Sequence, residues 1–435
     1  MKKVALHNLG CKVNTYETDA MTQSLKEHGY EIVPFEEGAD IYIINTCSVT
    51  NIADRKSRQM LHKAKKMNPS AIVVATGCYV QTAGEEILAD KSIDLVIGNN
   101  NKSHIVDILE GYIEDKNKNI VLNDLSHETI YEDMNMTTLT EHTRAFIKIQ
   151  DGCNQFCTYC IIPYARGRIR SRSLEDIERE VKELSNNGYR EIVLTGIHLS
   201  SYGKDKKDVG ITLIDAIEKV AATEGIERVR LGSLEPMIIT DEFLSKLKEI
   251  PEFCPHFHLS LQSGCEEILK KMNRHYTPDM YYERCKLIRK YFDNPAITTD
   301  VIVGFPGETA ENFEECRRFL EKVDFSEMHI FKYSKRQGTI AAKMPMQVDD
   351  SIKAERSDVL LKLNEELNRK YKSLFVGKTT EVLIEEKVVI DDLEYQTGYT
   401  KEYVKVGVMA EKDLTGTIVK VTIIKNMDEI LLAQL

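Results

Sequence analysis

The chain has 435 residues with 42% hydrophobic content, enough for two or three domains with packed cores. No window approaches the roughly 18 consecutive apolar residues of a membrane span. The opening MKKVALHNLGC breaks its apolar run at His7 and Asn8, so no signal peptide is expected. A formal net charge of −11 argues against non-specific nucleic-acid binding by the surface at large.

Residues 1–112 repeat one theme. KVALHNLGC, DIYIINTC and AIVVATGC each run a short apolar stretch into a cysteine, at Cys11, Cys47 and Cys78, and SIDLVIGNN adds a fourth strand. Between the first two, NTYETDAMTQSLKEHGY predicts a helix that opens at Asn14, carries Glu17 three residues on and stops at Gly29. The alternation predicts an open parallel α/β sheet. Strand ends in such a sheet share one edge, where ligand sites form. The cysteines are 36 and 31 residues apart, about one strand–helix unit each, so three thiols can converge. Three unrelated buried cysteines are the alternative.

Residues 113–142 are polar and predict a linker or covering loop with one short strand. Over 143–375 a second alternation follows: RAFIKIQDGC, REIVLTGIH, RVRLGSLEP, HFHLSLQSG, AITTDVIVGFPGE and MHIFKYS. Ser173, with Asp176 three residues later, caps a helix that Gly188 ends. Six strands with crossover helices predict a partial (β/α)6 barrel, and residues 349–375 an amphipathic helix. Residues 376–435 change to short alternating strands, hence a small all-β barrel or sandwich.

Cys153, Cys157 and Cys160 follow the first barrel strand as Cys-x3-Cys-x2-Cys. Three thiolates this close suit one iron–sulfur cube whose fourth iron stays open to a ligand. No histidine follows at zinc-finger spacing. In a cytoplasmic chain, the expected compartment here, clustered thiols point to metal or redox chemistry rather than disulfides. Cys254, Cys265, Cys285 and Cys316 show no ligand spacing and are expected to be structural.

The triad, with Tyr159 before its last cysteine and a six-strand pattern after it, resembles the radical S-adenosylmethionine superfamily. The order of a three-cysteine α/β domain, a radical core and a small TRAM-like β domain resembles its methylthiotransferases, over essentially all of the chain. LGCKVNTYETDAM (9–21) resembles the branch acting on tRNA that carries threonylcarbamoyladenosine. The isopentenyladenosine branch has Gln-Met-Asn, and the ribosomal-protein branch Pro-Lys-Asn, where this chain has Lys12, Val13 and Asn14.

The resemblance implies conversion of N6-threonylcarbamoyladenosine at tRNA position 37 to its 2-methylthio derivative. Isopentenyladenosine tRNA as substrate, or a non-catalytic iron–sulfur RNA-binding role, are the alternatives. It implies two [4Fe–4S] clusters: one on Cys153, Cys157 and Cys160, open to S-adenosyl-L-methionine, which it cleaves to a 5′-deoxyadenosyl radical, and one on Cys11, Cys47 and Cys78, which carries or supplies sulfur. Its implied partners are the tRNA anticodon stem-loop, a low-potential electron donor such as flavodoxin or ferredoxin, and a sulfur donor. Implied cofactor contacts come from the carboxyl ends of the core strands, Thr195, Gly196, Ser233, Glu235 and Gln262, from Asp300 within the fifth strand, and from Gly304 and Pro306 of the turn after it. At Thr195–His198 the chain lacks the acid of the superfamily's Gly-Gly-Glu-like segment. No catalytic residue is assigned beyond the cluster ligands; His198, His256, His258 and His329 are left as polar core candidates.

For RNA, two basic stretches stand out, DRKSRQMLHKAKKMNP (54–69) and ARGRIRSR (165–172). Arg166, Arg168, Arg170 and Arg172 are the expected phosphate contacts, a solvated face being the alternative for either stretch. Residues 376–435 hold seven lysines against eleven acidic residues, a poor match to phosphate. Tyr395, Tyr399 and Tyr403 there either stack bases or cover the barrel surface.

Overall fold

The computed structural model describes residues 2–137 and 143–435. Its first sheet contains β1 (Lys3–Asn8), β2 (Glu31–Ile32), β3 (Ile41–Thr46), β4 (Ile72–Gly77), β5 (Leu95–Ile97) and β6 (Ile120–Val121). They pair in parallel in the order β2-β1-β3-β4-β5-β6. The apolar runs are continuous because both faces are covered. Ile41, Ile43 and Val74 pack with Tyr16, Met21 and Leu25 of α1 (Lys12–Glu27). Tyr42, Ile44 and Val73 pack with Leu61 and Ala64 of α2 (Asn51–Met67) on the other face.

Helix α1 starts earlier than its sequence suggests. Cys11, not Asn14, is its N-cap residue. The Asn14 side chain is spent on tertiary contacts, donating to Leu9 O at 2.7 Å and Thr46 O at 3.0 Å. Glu17 lies buried in an ion-pair cluster rather than in a capping box.

The described part of the expected linker is packed. The helix Ile105–Glu114 runs past residue 112, β6 joins the first sheet, and Met134 and Met136 sit in its core. The Tyr131 hydroxyl donates to Lys148 O at 2.6 Å, across to the next domain. Residues 138–142 of that linker lie outside the described residues.

The second unit contains β7 (Arg144–Asp151), β8 (Arg170–Ser171), β9 (Glu191–Gly196), β10 (Arg228–Leu231), β11 (His256–His258), β12 (Ala296–Val303) and β13 (Glu327–Lys332). Parallel pairing links β7, β9 and β10, and separately β11, β12 and β13. Parallel bridges Val229↔Phe253 and Leu234↔Leu259 join the two sets. This is the expected six-strand partial barrel. The extra strand, β8, runs antiparallel to β7. Ser173 caps the helix Leu174–Asn186, accepting from the Asp176 amide at 3.1 Å.

β14 (Thr379–Ile390), β15 (Leu393–Tyr399), β16 (Lys405–Val408), β17 (Ile418–Asn426) and β18 (Leu431–Gln434) close into a small barrel around Val382, Ile384, Val406, Val421 and Leu431. It docks on the amino ends of the core strands. Arg228 donates to Tyr399 O at 2.8 Å, and Arg230 to Lys401 O at 2.9 Å.

A partial barrel leaves its first and last strands unpaired to each other, and the N-terminal unit covers that opening. Glu17 of α1 pairs with Lys148 of β7 at 3.1 Å. On the far side, Asn51 at the start of α2 donates to Lys335 O at 2.8 Å, and Arg336 to Ser48 Oγ at 2.5 Å. Among the described residues, no helix is long and apolar enough to cross a membrane.

Candidate functional site: two cysteine triads at one cavity

Parallel registry sets the first triad. Asn8, Asn45 and Thr76 lie level across β1, β3 and β4. Cys11, Cys47 and Cys78 follow those adjacent strand ends. Gly10, at φ 111°, lets the first turn close on the second: a Cβ there would lie 2.8 Å from Cys47 Sγ. Cys78 receives two donors, Arg166 Nε at 3.3 Å and Asn99 Nδ2 at 3.7 Å.

The second triad sits in a clamped loop at the carboxyl end of β7. Gly152, at φ 71°, allows the approach; a Cβ would fall 1.7 Å from Arg168 O. The Cys153 amide donates to Gly167 O at 3.0 Å, the Thr158 amide to Met272 O at 3.1 Å, and Asn273 Nδ2 to Phe156 O at 3.2 Å. Arg274 Nη1 donates to Cys157 Sγ at 3.3 Å, while its Nη2 holds Glu235 at 2.5 Å. Neither Arg166 nor Arg274 has a sequence signature as a thiol partner; each comes from a distant or differently read segment.

The thiols suit cluster ligation. Burial pushes Cys47 and Cys153 up to about 11 and Cys160 up to about 12, and neighbouring thiols add to the shift. Alone such groups stay protonated; a cationic iron centre is what holds several buried sulfurs ionised together.

A cavity of about 1030 Å³ links the parts. Cys11 lines it from the first triad, and Cys153, Cys157 and Cys160 all line it from the second. Cys47 and Cys78 are buried outside its wall. Thr195, Gly196, Ser233, Glu235, Gln262 and Asp300 line it as well. Burial raises the Glu235 carboxyl, but hydrogen bonds and charge from His198 and Arg274 outweigh this and hold it below its ordinary value.

Gly304 and Pro306 do not line the cavity. Their turn is buried against the helix Asp350–Ser373: a Cβ on Gly304 would lie 2.3 Å from Lys353 Cγ. Phe305 between them packs edge-on to Tyr159, with centroids 6.4 Å apart, so the turn supports the cysteine loop from behind.

His258, Asp300 and His329 bring ligand-capable atoms within 4.8 Å of one another at the cavity wall. His258 Nε2 lies 3.2 Å from Asp300 Oδ2, and its Nδ1 lies 2.9 Å from Thr298 Oγ1. Lys12 also enters the cavity, with its ammonium over the Phe146 ring at 5.9 Å. Desolvation of the ammonium beside the Phe146 ring, with Arg144 and Arg230 nearby and Glu191 opposing, lowers Lys12 to about 8, although the residue as a whole stays exposed to solvent.

The expected phosphate-binding arginines are mostly not at the surface. Arg166, Arg170 and Arg172 are 0–1% exposed. Arg166 bonds Glu17, Asn14 and Asp151; Arg172 pairs with Glu180 and with Asp133 at 2.6 Å. Buried carboxylates of the N-terminal unit and the barrel call for these cations. Only Arg168 is exposed, and it lies over Phe156 at 4.8 Å. Tyr399 and Tyr403 are likewise committed. Tyr403 stacks between Tyr399 at 4.6 Å and His256 at 4.5 Å, with Arg230 over its ring, which fixes the small barrel to the core. Cys254, Cys265, Cys285 and Cys316 are all buried.

Two family models match the chain: the radical SAM superfamily over residues 147–320, and the uncharacterized protein family UPF0004 over residues 3–98. The threonylcarbamoyladenosine tRNA methylthiotransferase MtaB of Bacillus subtilis is 42% identical, over 98% of this chain and 94% of its own length. That of Aquifex aeolicus is 43% identical over 88% and 93%. A tRNA-2-methylthio-N(6)-dimethylallyladenosine synthase of Clostridium botulinum is 37% identical over 96% and 93%. The radical S-adenosylmethionine methyltransferase TsrM of Kitasatospora setae shares the fold, with a TM-score of 0.57 at 16% identity over 76% of this chain and 73% of that one. With both domain models matched in order and identity above 40% over nearly the whole length, the chain belongs to the MtaB-type family of radical S-adenosylmethionine methylthiotransferases.

Proposed function

We propose that this protein converts N6-threonylcarbamoyladenosine at tRNA position 37 to its 2-methylthio derivative in the cytoplasm. The observation that carries the reading is the shared cavity: Cys11 of one triad and all three cysteines of the other line one space. On this reading Cys153, Cys157 and Cys160 hold one [4Fe–4S] cluster, and Cys11, Cys47 and Cys78 hold a second. When bound, the clusters and S-adenosyl-L-methionine supply one-electron cleavage, a methyl group and a site for sulfur.

The chain's own residues supply position and exclusion. Thr195, Gly196, Ser233, Glu235, Gln262 and Asp300 offer polar groups to the cofactor at the strand ends. Glu235, fixed by Arg274 and His198, stays ionised to accept from hydroxyls. Arg274 and Arg166 each steady one ligand sulfur. A low-potential donor such as flavodoxin or ferredoxin would deliver electrons, and a separate sulfur donor would replenish the first cluster.

Lys12 favours threonylcarbamoyladenosine over isopentenyladenosine. The threonine carboxylate is an anion that Lys12 can receive in a charge-assisted hydrogen bond, an interaction for which an isopentenyl group has no acceptor atom. The test incubates reconstituted protein, cofactor, reductant and sulfide with anticodon stem-loops bearing either base. Methylthio product from the threonylcarbamoyl RNA is expected. Preference for the isopentenyl RNA would overturn the substrate, and absence of cofactor cleavage would leave an iron–sulfur RNA-binding protein.

A further inference from the structure

We propose that the outer face of α2 is the track on which the tRNA phosphate backbone lies as the anticodon loop enters the cavity. This rests on the tRNA reading above and names the surface that serves it. With three of the four arginines of residues 165–172 buried, the phosphates need another cationic surface.

Helical spacing places Ile52, Arg55, Lys56, Gln59, Lys63 and Lys66 on one stripe, and all are exposed. The stripe contains no carboxylate. Among the described residues none of its four cations makes an ion pair; the neighbouring Lys65, off the stripe, pairs with Asp94 at 2.8 Å. Several exposed helical cations elsewhere pair with an acid on the adjacent turn, as Lys182 does with Glu178, Lys270 with Glu266 and Arg317 with Glu314. Others, such as Lys26, Lys248 and Lys362, have no ion pair among the described residues. Helix α2 differs in gathering four such cations on one acid-free stripe. In a chain of net charge −11, a solvated face would be expected to mix carboxylates among its cations. Four unpaired cations on one stripe instead complement a polyanion.

Position identifies the polyanion. Thr50 caps α2, its hydroxyl accepting from Ala53 N at 3.1 Å, and both Val49 and Thr50 line the cavity. The stripe therefore begins at the cavity mouth and runs outward for about 25 Å, the length of a 17-residue helix. A nucleic acid whose base occupies the cavity must carry its backbone away from that mouth. An acidic electron-transfer protein is the other partner such charge could serve, but it has no need to begin at the substrate entrance.

The test compares the full reconstituted protein with the variant Arg55→Gln, Lys56→Gln, Lys63→Gln, Lys66→Gln. Glutamine keeps helix propensity, and thermal unfolding with iron content verifies the fold. A second variant, Lys182→Gln with Lys270→Gln, controls for general charge. Binding of an anticodon stem-loop is measured from about 50 to about 200 mM salt. The stripe variant is expected to bind at least about tenfold more weakly at the low-salt end. Its slope of log affinity against log salt should be shallower by about 0.7–0.9 per lost contact. The control variant should match wild type. If wild type binds with a steep slope and the stripe variant is indistinguishable, the surface assignment is overturned while the tRNA reading stands. If wild type shows no salt-dependent binding, both fall. Unchanged RNA binding with slower reduction by flavodoxin would assign the stripe to the electron donor and overturn the proposal.

Discussion

Arg166, from the barrel, places its Nε 3.3 Å from the Sγ of Cys78, a cysteine of the N-terminal sheet. The same guanidinium bonds Glu17 at 3.0 Å, Asn14 at 2.7 Å and Asp151 at 3.2 Å. One side chain thus ties the first triad to the strand that leads into the second. Burial would raise the Glu17 carboxyl, but Arg166, Lys102 and Lys148 overcome it and hold Glu17 well below the usual carboxylate range.

Arg166→Ala should therefore act on stability and the first cluster rather than on RNA affinity alone. Removing one partner from a buried charge network costs about 3–5 kcal/mol. Arg166→Lys should recover little of it, because one ammonium cannot replace a forked donor reaching four groups. Urea unfolding of the three proteins measures this. A wild-type midpoint in the alanine variant would contradict the network's role.

The triads belong to separate units with separate sheets, so they should load independently. Cys47→Ala and Cys157→Ala should each retain roughly half of the iron and sulfide, one of two clusters lost. Reductive cleavage of S-adenosylmethionine should vanish only in Cys157→Ala. Full iron in either variant would sink the two-cluster reading.

His256 gives the fold a pH dependence. It is buried and stacked on Tyr403, and burial, with Arg230, Lys12, His258 and Arg144 around it, lowers it well below the ordinary 6.5. Below that pH the unfolded chain binds a proton that the folded chain refuses, so this contribution to stability is present above 6.5 and lost as the pH falls. The slope from one such group is at most about 1.4 kcal/mol per pH unit. Unfolding free energies at about pH 7.5 and about pH 5.5 should fall more steeply for wild type than for His256→Gln. Equal declines would show that His256 titrates normally.

Periodic and spacing-bound features were legible in the sequence. Val- and Ile-rich runs ending at Cys11, Cys47 and Cys78 became adjacent strands, and the Cys153 triad sits at the end of β7. The arginines of 165–172 were not legible as buried. Their partners Glu17, Asp133 and Glu180 lie on other elements, and a local run of charge looks the same whether water or distant carboxylates surround it. Asn14 and Glu17 looked like a helix cap for the same reason: nothing local records that Thr46 and Arg166 claim their side chains. The support given by Phe305 to Tyr159 was equally hidden, because a glycine–proline turn carries no mark of which side faces the ligand.

The central claim is that two clusters facing one cavity act together on one adenosine of tRNA. Mass analysis of tRNA nucleosides from a strain lacking this gene, complemented with wild type, Cys47→Ala or Cys157→Ala, tests it most directly. The 2-methylthio derivative of threonylcarbamoyladenosine should be absent without the gene, return with wild type, and stay absent with either variant, while unmodified threonylcarbamoyladenosine accumulates. Full restoration by Cys47→Ala would reduce the first triad to a structural role, and an unchanged nucleoside profile in the deletion strain would contradict the account as a whole.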